Sequence, residues 1–191
     1  MITHKKYILA SSSQSRQKIL RNCGFVFKQV KPICDEEFIK KKLKKNYNPV
    51  SLAKKLSFEK AKSVSSIKKY TSHYVIGCDT LVCLEKKIYD KVKSIREAKR
   101  KIQKLSGKTH KIISGITICK KGQIVWQSSE TTSVKIKNLD KKEIEIYLKK
   151  SGKKILSSVG CYQIESLGPL IIENIRGDFF NVMGLPLFKL L

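Results

Sequence analysis

Short apolar runs alternate with amphipathic stretches along the chain, a pattern typical of strands that alternate with helices. Strands are predicted at residues 7–10, 25–30, 74–84, 88–89, 111–119, 123–137, 161–164 and 170–175. Helices are predicted at 15–22 and 50–67, from a capping box at Ser94 to Gly107, and from Asp140 to Gly152. Residues 31–49 follow neither period and are expected to be irregular.

The longest strand patterns favour a mixed sheet. Residues 111–119 and 123–137 flank Lys121-Gly122, which predicts a long hairpin. Hairpin strands combined with crossover helices indicate a mixed α/β sheet with flanking helices rather than a purely parallel sheet. Because the 191 residues contain no repeat and no low-complexity linker, a single domain at 1–191 is expected.

The chain is strongly basic, with 41 Lys and Arg against 15 Asp and Glu and a formal net charge of +26. Such an excess suggests a polyanionic partner, which would be nucleic acid, a nucleotide or a membrane surface. The alternative is that lysines fill solvated positions. We favour that alternative because most lysine pairs are scattered and no RNA-binding aromatic motif accompanies them. Only residues 40–45 form a cluster, which is expected to be a mobile solvated segment.

Cysteine usage and hydropathy indicate a cytoplasmic protein. None of the six cysteines forms a C-x-x-C pair and most lie in apolar runs, so free thiols in a reducing compartment are expected. The three histidines have no metal-ligand spacing. No apolar run reaches the roughly 18 residues of a membrane helix. The amino-terminal apolar stretch is too short for a signal peptide.

The sequence SGKT at residues 106–109 resembles the end of a P-loop. The glycine that the motif requires five residues before Gly107 is Ile102 here. The stretch also ends a predicted helix instead of beginning one, so the helix amides that would bind phosphate are missing. A helix C-cap is the better interpretation.

A serine-rich corner, within ILASSSQSRQKIL at residues 8–20, has the order strand, hydroxyl loop and helix start. Unpaired amides at the helix start, the serine hydroxyls and Arg16 together could bind an anion. The alternative is that Ser13 only caps the helix. The motif alone leaves both interpretations open.

Acidic residues are scarce, so their placement is informative. Asp79 lies inside the apolar strand pattern YVIGCDTLVCL, where a carboxylate needs a charged partner, a metal or exposure at a strand end. A structural ion pair with lysine is one alternative, and a functional carboxylate beside Gly77 is the other. Asp35-Glu36-Glu37 forms a second acidic cluster, and Glu165 lies in another apolar run.

Taken in order, these elements resemble the Maf (septum-formation) family of nucleoside triphosphate pyrophosphatases over nearly the whole chain. The family patterns L-A-S-x-S-P-R-R, P-x-x-D-E, G-x-D-T-x-V, L-S-G-x-x-H and G-L-P-L are similar to residues 9–16, 32–36, 77–82, 105–110 and 184–187. A lysine before alanine is Lys60, the lysine after the small hairpin is Lys91, and G-x-Y precedes Glu165.

The resemblance implies hydrolysis between the α- and β-phosphates, releasing a nucleoside monophosphate and pyrophosphate, as house-cleaning of non-canonical nucleotides and with a link to cell-division arrest. It implies a two-lobed α/β fold with a central cleft, similar to inosine triphosphate pyrophosphatases, and a homodimer. The implied substrate-binding residues are Ser11, Ser13, Arg16, Lys60 and Lys91. Glu36 and Asp79 are the implied ligands of Mg²⁺ or Mn²⁺, and Asp79 is the implied general base.

Departures from the family pattern leave the preferred base unpredicted. The family's proline is Gln14 here, and its first arginine is Ser15, so only Arg16 keeps a guanidinium. The proline that usually follows the hairpin lysine is Val92. Among the specificity positions Ser15, Thr80 and Glu165, Thr80 resembles the pyrimidine branch. Glu165 resembles the 7-methyl-GTP branch.

Two functions without catalysis remain as alternatives. A basic nucleic-acid-binding module would lose affinity steeply with salt. A regulator of septum formation would still arrest division when its catalytic carboxylate is removed. The primary expectation is a nucleoside triphosphate substrate, with no stable nucleic-acid partner and no membrane.

Overall fold

The computed structural model describes residues 6–43 and 48–191, and strands and helices alternate along them. The strands are β1 (Tyr7–Ala10), β2 (Phe27–Val30), β3 (Tyr74–Leu84), β4 (Lys87–Tyr89), β5 (Thr109–Lys120), β6 (Gln123–Ile136) and β7 (Ile172–Arg176). The α-helices are α1 (Gln14–Asn22), α2 (Glu36–Leu43), α3 (Pro49–Ser65), α4 (Ile95–Leu105), α5 (Lys141–Ser151), α6 (Phe179–Val182) and α7 (Leu187–Leu190). Short 3-10 helices lie at Lys68–Tyr70, Gly152–Ser157 and Gly168–Leu170.

The described strands form one seven-stranded mixed sheet in the order β2-β1-β3-β5-β6-β7, with β4 paired to β3. Strand β1 is parallel to both β2 and β3, whereas the β3–β4 and β6–β7 pairs are antiparallel. The predicted mixed α/β sheet with flanking helices is therefore confirmed. In the β1–β3 pair, Tyr7 is opposite Tyr74 and Ala10 is opposite Gly77, so the carboxyl end of β1 meets the middle of β3.

The chain is divided into two compact units. Unit 1 comprises the described residues as far as Thr80, together with Ser114–Glu130 and Gly184–Leu191. Its core packs α3 against β1 and β3, and contains Ile8, Ala10, Ala61, Val64, Tyr70, Val75 and Cys119. Unit 2 comprises Leu81–Ile113 and Thr131–Met183. Its core is formed largely by α4, α5, β5 and β6, and includes Ile102, Leu105, Ile112, Val134, Ile144 and Tyr147.

Gly77 allows α3 to lie directly against β3. A Cβ atom at this position would overlap the backbone of Ser57 and Ala61. Lys60 belongs to the same stretch of α3, and Asp79 follows Gly77 by two residues on β3. The absence of a side chain at Gly77 therefore brings the lysine and the carboxylate within reach of each other.

Most predicted elements are confirmed, several of them with their caps. Ser13 caps α1, Ser94 caps α4, and Asp140 forms a capping box with Glu143 at the start of α5. The SGKT stretch follows α4 and leads into β5, so the rejection of a P-loop is confirmed. All six cysteines are free thiols. Within residues 6–43 and 48–191, no helix is both long and apolar enough to cross a membrane.

Two element predictions are wrong. Part of the stretch expected to be irregular forms α2, because the Asp35 carboxylate accepts a hydrogen bond from the Phe38 amide and acidic residues occupy the first helical turn. Lys40 to Lys42 lie in this helix, and the rest of the expected mobile lysine cluster, from Lys44, lies outside the described residues. Residues 161–164 form no strand but an irregular segment that leads into a turn at Ile164, and Cys161 within it has a φ of +59°.

Candidate active site

The serine corner connects β1 to α1, and its hydroxyls stabilise the turn itself. The Ser11 Oγ accepts a hydrogen bond from the Ser13 amide at 3.1 Å. The Ser13 Oγ accepts from the Arg16 amide at 3.4 Å, which makes Ser13 the N-cap of α1. On the neighbouring strand, the Gln29 side chain donates to the Ser11 carbonyl at 2.7 Å. The capping interpretation of Ser13 is thus confirmed, and the anion-binding interpretation stays a prediction.

Arg16 is 9% exposed and its guanidinium is fixed by three hydrogen bonds. Its Nε donates to the Gly184 carbonyl at 2.7 Å, Nη1 donates to Ser11 Oγ at 3.4 Å and Nη2 donates to Thr80 Oγ1 at 3.1 Å. Gly184 has a φ of +104°, a conformation that favours glycine, and it precedes α7. The guanidinium therefore joins the serine corner to β3 and to the carboxyl-terminal segment of unit 1.

The Thr80 hydroxyl has its full set of partners in this network. It lies 2.8 Å from Ser114 Oγ and donates to the Gly184 carbonyl at 3.2 Å, in addition to its bond with Arg16. A hydroxyl has one donor and two acceptor positions, and these contacts use all three. Thr80 thus contacts the arginine directly, which places this predicted specificity residue beside the predicted phosphate-binding group.

Lys60 lies between two carboxylates in unit 1. Its Nζ is 2.6 Å from Asp79 Oδ1 and 3.1 Å from Glu36 Oε1. Lys60 and Asp79 are only 7% and 6% exposed, whereas the Glu36 side chain is 40% exposed at the start of α2. The ion pair of Asp79 with a lysine is therefore present, and the interpretation of Asp79 as a functional carboxylate stays a prediction. The two ion pairs of Lys60 join three of the residues that the sequence singled out for substrate and metal binding and for catalysis, namely Glu36, Lys60 and Asp79.

The second oxygen of Asp79 is buried and has no hydrogen-bond partner in the described part of the chain. A buried carboxylate oxygen without a partner is costly, so this atom is available to accept a hydrogen bond from water or to bind a ligand. Residues 6–43 and 48–191 contain no group of three or more His, Cys, Asp or Glu side chains that could hold a metal alone. Mg²⁺ is commonly bound by one or two carboxylates plus substrate phosphates, and Asp79 with Glu36 fits that pattern.

Two cysteine thiols lie close to these charges. Partial burial raises the pKa of the Cys34 thiol, and the negative charge of Glu36 raises it further. Burial likewise raises the pKa of Cys78, whose Sγ donates to the Gly184 carbonyl at 3.3 Å. Both thiols are therefore protonated at neutral pH, which excludes them as thiolate nucleophiles.

A family model described as Maf-like protein matches residues 6–191. The chain belongs to the Maf family. The resemblance noted in the sequence motifs is thus confirmed over nearly the whole length.

The names of three curated relatives of this Maf-family chain all describe a pyrophosphatase, and two of these names specify different nucleotide bases. A "7-methyl-GTP pyrophosphatase" of Bartonella henselae is 40% identical over 96% of this chain and 91% of its own length. A "dTTP/UTP pyrophosphatase" of Thermosipho africanus is also 40% identical, over 96% of this chain and 89% of its own length. A "Nucleoside triphosphate pyrophosphatase" of Caulobacter vibrioides is 35% identical over 96% of this chain and 91% of its own length.

The remaining predicted residues of the Maf pattern have other surroundings. Ser15 is a partly exposed residue of α1 in unit 1. Lys91 and Glu165 belong to unit 2, where Lys91 is exposed between β4 and α4 and Glu165 is exposed in a turn. Contacts in unit 1 thus bring together Ser11, Ser13, Arg16 and Thr80 in one network, and Glu36, Lys60 and Asp79 in another.

Within unit 2, buried side chains hold the segments that carry Lys91 and lead to Glu165. Lys101 of α4 donates to the carbonyl of Asp90, next to Lys91, and to the carbonyl of Val159 at 3.0 Å. Burial lowers the pKa of Lys101.

The segment that follows Val159 has two further contacts. Tyr147 OH donates to the Cys161 carbonyl at 3.2 Å, and His110 Nε2 lies 2.6 Å from Tyr162 OH. Burial lowers the pKa of His110 to about 4, so its ring is neutral at pH 7. These contacts position the turn that carries Glu165.

Sequence reasoning missed several residues of these networks. Gln29 and Ser114 contact the site only because β2 and β5 flank the strands that carry it. Lys101 resembles the other lysines of a basic amphipathic helix, although it is 6% exposed. Gly184 could have been selected, because it begins the family's G-L-P-L pattern.

Proposed function

We propose that this Maf-family protein hydrolyses nucleoside triphosphates at the bond between the α- and β-phosphates, releasing a nucleoside monophosphate and pyrophosphate. The observation that carries the proposal is the buried Lys60, placed between Asp79 and Glu36, with one Asp79 oxygen left without a partner. The ion pair with Lys60 uses only Oδ1 of Asp79, so Oδ2 is available to water, cation or substrate. The names of relatives matched over nearly the whole chain support the same reaction.

Substrate binding is assigned to cationic and hydroxyl groups, because a nucleoside triphosphate carries about four negative charges and charge neutralisation dominates phosphoryl chemistry. Arg16 has five N–H donors, and its three bonds to the protein leave two for phosphate oxygens. Lys60 and Lys91 add ammonium groups, and Ser11 and Ser13 add hydroxyl or amide contacts. The rigid hold on Arg16 orients the guanidinium before substrate arrives, which lowers the entropic cost of binding.

A divalent cation, Mg²⁺ or Mn²⁺, is assigned to Glu36 and Asp79. Both supply hard carboxylate oxygens, and phosphate oxygens and water complete the coordination. When bound, the cation supplies neutralisation of the phosphate charge and polarisation of the phosphorus–oxygen bonds. Lys60 keeps the two carboxylates close together when no cation is bound.

Asp79 is also the proposed general base. Its unpartnered Oδ2 is the acceptor that can orient a water molecule and take its proton as the anhydride bond breaks. Burial excludes bulk water around this atom, which strengthens the electrostatic interaction with the phosphates.

The base preference is assigned to Ser15, Thr80 and Glu165 without naming the base. Thr80 contacts Arg16, so we expect its influence on specificity to act through the orientation of the guanidinium. The proposal also includes house-cleaning of modified nucleotides, a link to cell-division arrest, a cytoplasmic location and a homodimer, as the composition and the family resemblance imply.

The test is pyrophosphate release from a panel of ordinary and modified nucleoside triphosphates with Mg²⁺ or Mn²⁺. Asp79→Asn should lower turnover by about 10²- to 10⁴-fold, because it removes the proton acceptor, while nucleotide binding measured by calorimetry survives. Glu59→Gln is the matched control, since Glu59 pairs with Lys55 on α3 and has no role in the proposed site. Turnover of Asp79→Asn at the wild-type rate would refute the mechanism, and no hydrolysis of any triphosphate by the wild type would refute the function.

A further inference from the structure

Six lysines that are scattered in sequence lie around the carboxyl end of α3 and the amino ends of β1 and β3 in unit 1. They are Lys28, Lys62, Lys68, Lys69, Lys120 and Lys121, and we call them the lysine surface. Five of them are exposed and Lys120 is half-buried. We infer that the lysine surface binds single-stranded nucleic acid, at a site separate from the proposed triphosphate site.

Contacts between elements gather these lysines. Lys28 of β2 and Lys69 both lie over the ring of Tyr70, at 5.5 and 5.0 Å from its centroid. Lys120, at the end of β5, lies 4.6 Å from the ring centroid of Tyr74. Tyr70 follows Lys69 in the 3-10 helix, which in turn follows α3.

The hairpin between β5 and β6 adds Lys121 to this surface, whereas Lys62 lies on α3 and Lys68 begins the 3-10 helix. The amide of Gly122 donates to Ser65 Oγ at the end of α3, at 3.2 Å, which places Lys121 beside that helix end. Burial raises the pKa of the Cys119 thiol to about 11, and the nearby charge of Lys62 partly offsets the rise. Lys62 therefore lies near the same hairpin.

Little carboxylate charge offsets the lysine surface in the described part of the chain, although the charge of Glu59 reaches this region and raises the pKa of the Cys119 thiol. Residues 6–34, 60–78 and 114–129, which build this region, contain no Asp or Glu. The nearest acid along α3, Glu59, is paired with Lys55 at 2.7 Å. A weakly compensated cluster of this kind attracts a polyanion strongly, and its affinity comes from the release of counterions.

Aromatic rings among the lysines favour single-stranded nucleic acid over other polyanions. Tyr7 and Tyr74 are half-buried at the strand starts, with ring centroids 6.1 Å apart. Single-strand-binding surfaces combine cations that follow the backbone with aromatic faces on which bases stack. A membrane-binding surface would instead use an amphipathic helix with an exposed apolar face, and the lysine surface is built from strand ends, a hairpin and a 3-10 helix.

The lysine surface lies at the amino end of β3, whereas the proposed triphosphate site lies at the middle of that strand. Lys120 contacts Tyr74 at the first residue of the strand, and Asp79 lies five residues farther along. At roughly 3.3 Å per residue the two positions are about 16 Å apart along β3. A triphosphate at Asp79 therefore leaves the lysine surface accessible.

The experiment measures binding of a fluorescein-labelled polyuridine RNA of about 12 nucleotides by fluorescence anisotropy, from 50 to 200 mM NaCl. About five phosphate contacts predict a slope of log affinity against log salt near −3.5, so affinity should fall about 100-fold over this range. The variant Lys28→Gln/Lys69→Gln/Lys120→Gln should bind about tenfold or more weakly at 50 mM, with a slope smaller in magnitude by about 2.

A control variant removes the same charge from unit 2. Lys149→Gln/Lys150→Gln/Lys153→Gln should retain RNA binding within about twofold, since none of these lysines belongs to the lysine surface. Both variants should keep wild-type triphosphate hydrolysis, because neither touches the proposed active site, and circular dichroism should show both to be folded at the temperature of the binding assay. Saturating triphosphate should leave RNA binding unchanged.

Several results would overturn the inference. They are no RNA binding by the wild type at 50 mM salt, equal losses in the two triple variants, or displacement of RNA by triphosphate. Binding to phosphatidylserine vesicles without binding to RNA would also overturn it, because the surface would then recognise membrane lipids.

Discussion

The Lys60–Asp79 pair gives the sharpest test of how unit 1 holds its charges. The pair is 2.6 Å long, and the two side chains are 9% and 8% exposed, so solvent screens it little. Replacing Lys60 by Met leaves the Asp79 carboxylate buried without a counter-charge. Breaking a buried pair in this way costs about 3–5 kcal/mol of unfolding free energy, which is the loss we expect for Lys60→Met.

The double variant isolates the interaction from the individual losses. Asp79→Asn alone should cost less than Lys60→Met, because Lys60 keeps its 3.1 Å contact with Glu36. Combining both changes removes both buried charges, so the loss should be smaller than the sum of the single losses by about 2–3 kcal/mol. Urea unfolding in EDTA, followed by circular dichroism, measures all four free energies without divalent cations.

A second pair on α3 is the matched control for this cycle. Lys55 Nζ lies 2.7 Å from Glu59 Oε1, but its side chains are 44% and 25% exposed. Because exposed pairs contribute little, Lys55→Met should cost less than about 1 kcal/mol. Additive losses for Lys60→Met and Asp79→Asn, within about 0.5 kcal/mol, would refute the reasoning, as would equal losses for Lys60→Met and Lys55→Met.

Two further predictions concern unit 2. Glu165→Gln should shift the ratio of kcat/KM values toward uridine or thymidine triphosphate in the pyrophosphate-release panel, and an identical substrate profile would mean that the base pocket is misplaced. His110 is 1% exposed and its pKa is about 4, below the ordinary value of 6.5, so the unfolded chain binds a proton there first as pH falls. The free energy of unfolding should therefore be independent of this histidine's protonation above pH 6.5 and should fall by up to about 3 kcal/mol between pH 6.5 and pH 4. Urea unfolding across this range should show the decrease, and His110→Gln should lack it.

The secondary structure could be predicted where the pattern and the caps agree. Strand β3 is correct at both ends because a long apolar run, interrupted only at Asp79-Thr80, is bounded by polar residues, and α5 is correct because Asp140 and Glu143 cap it reciprocally. Helix α2 was missed because its start depends on the single Asp35 cap instead of an apolar period. The apolar pattern at 161–164 indicates burial but not a strand: Tyr162 is buried in an irregular segment, where it contacts His110.

The candidate site could be predicted in part, because motif order specifies residue types but not the strand order that brings them together. Parallel pairing of β1 with β3 explains why Arg16 meets Thr80, and a reader of the motifs could expect it. Ser114 could not be predicted, since it requires β5 to be the other neighbour of β3. Lys101 was missed for another reason: a helix period does not reveal that the carbonyls of two loops receive the hydrogen bonds of a lysine.

The position of Gly77 shows why stability and chemistry depend on the same few atoms in unit 1. A larger residue would move α3 away from β3, and Lys60 would move with the helix. Asp79 would then be buried without its ammonium partner, and a buried carboxylate in that state costs several kcal/mol. An apolar residue in place of Asp79 would avoid that cost. It would also remove the unpartnered oxygen that we propose binds water and the cation. The close approach of α3 at Gly77 therefore stabilises the charge of Asp79 through Lys60. The fold does not require that charge, whereas the proposed hydrolysis does.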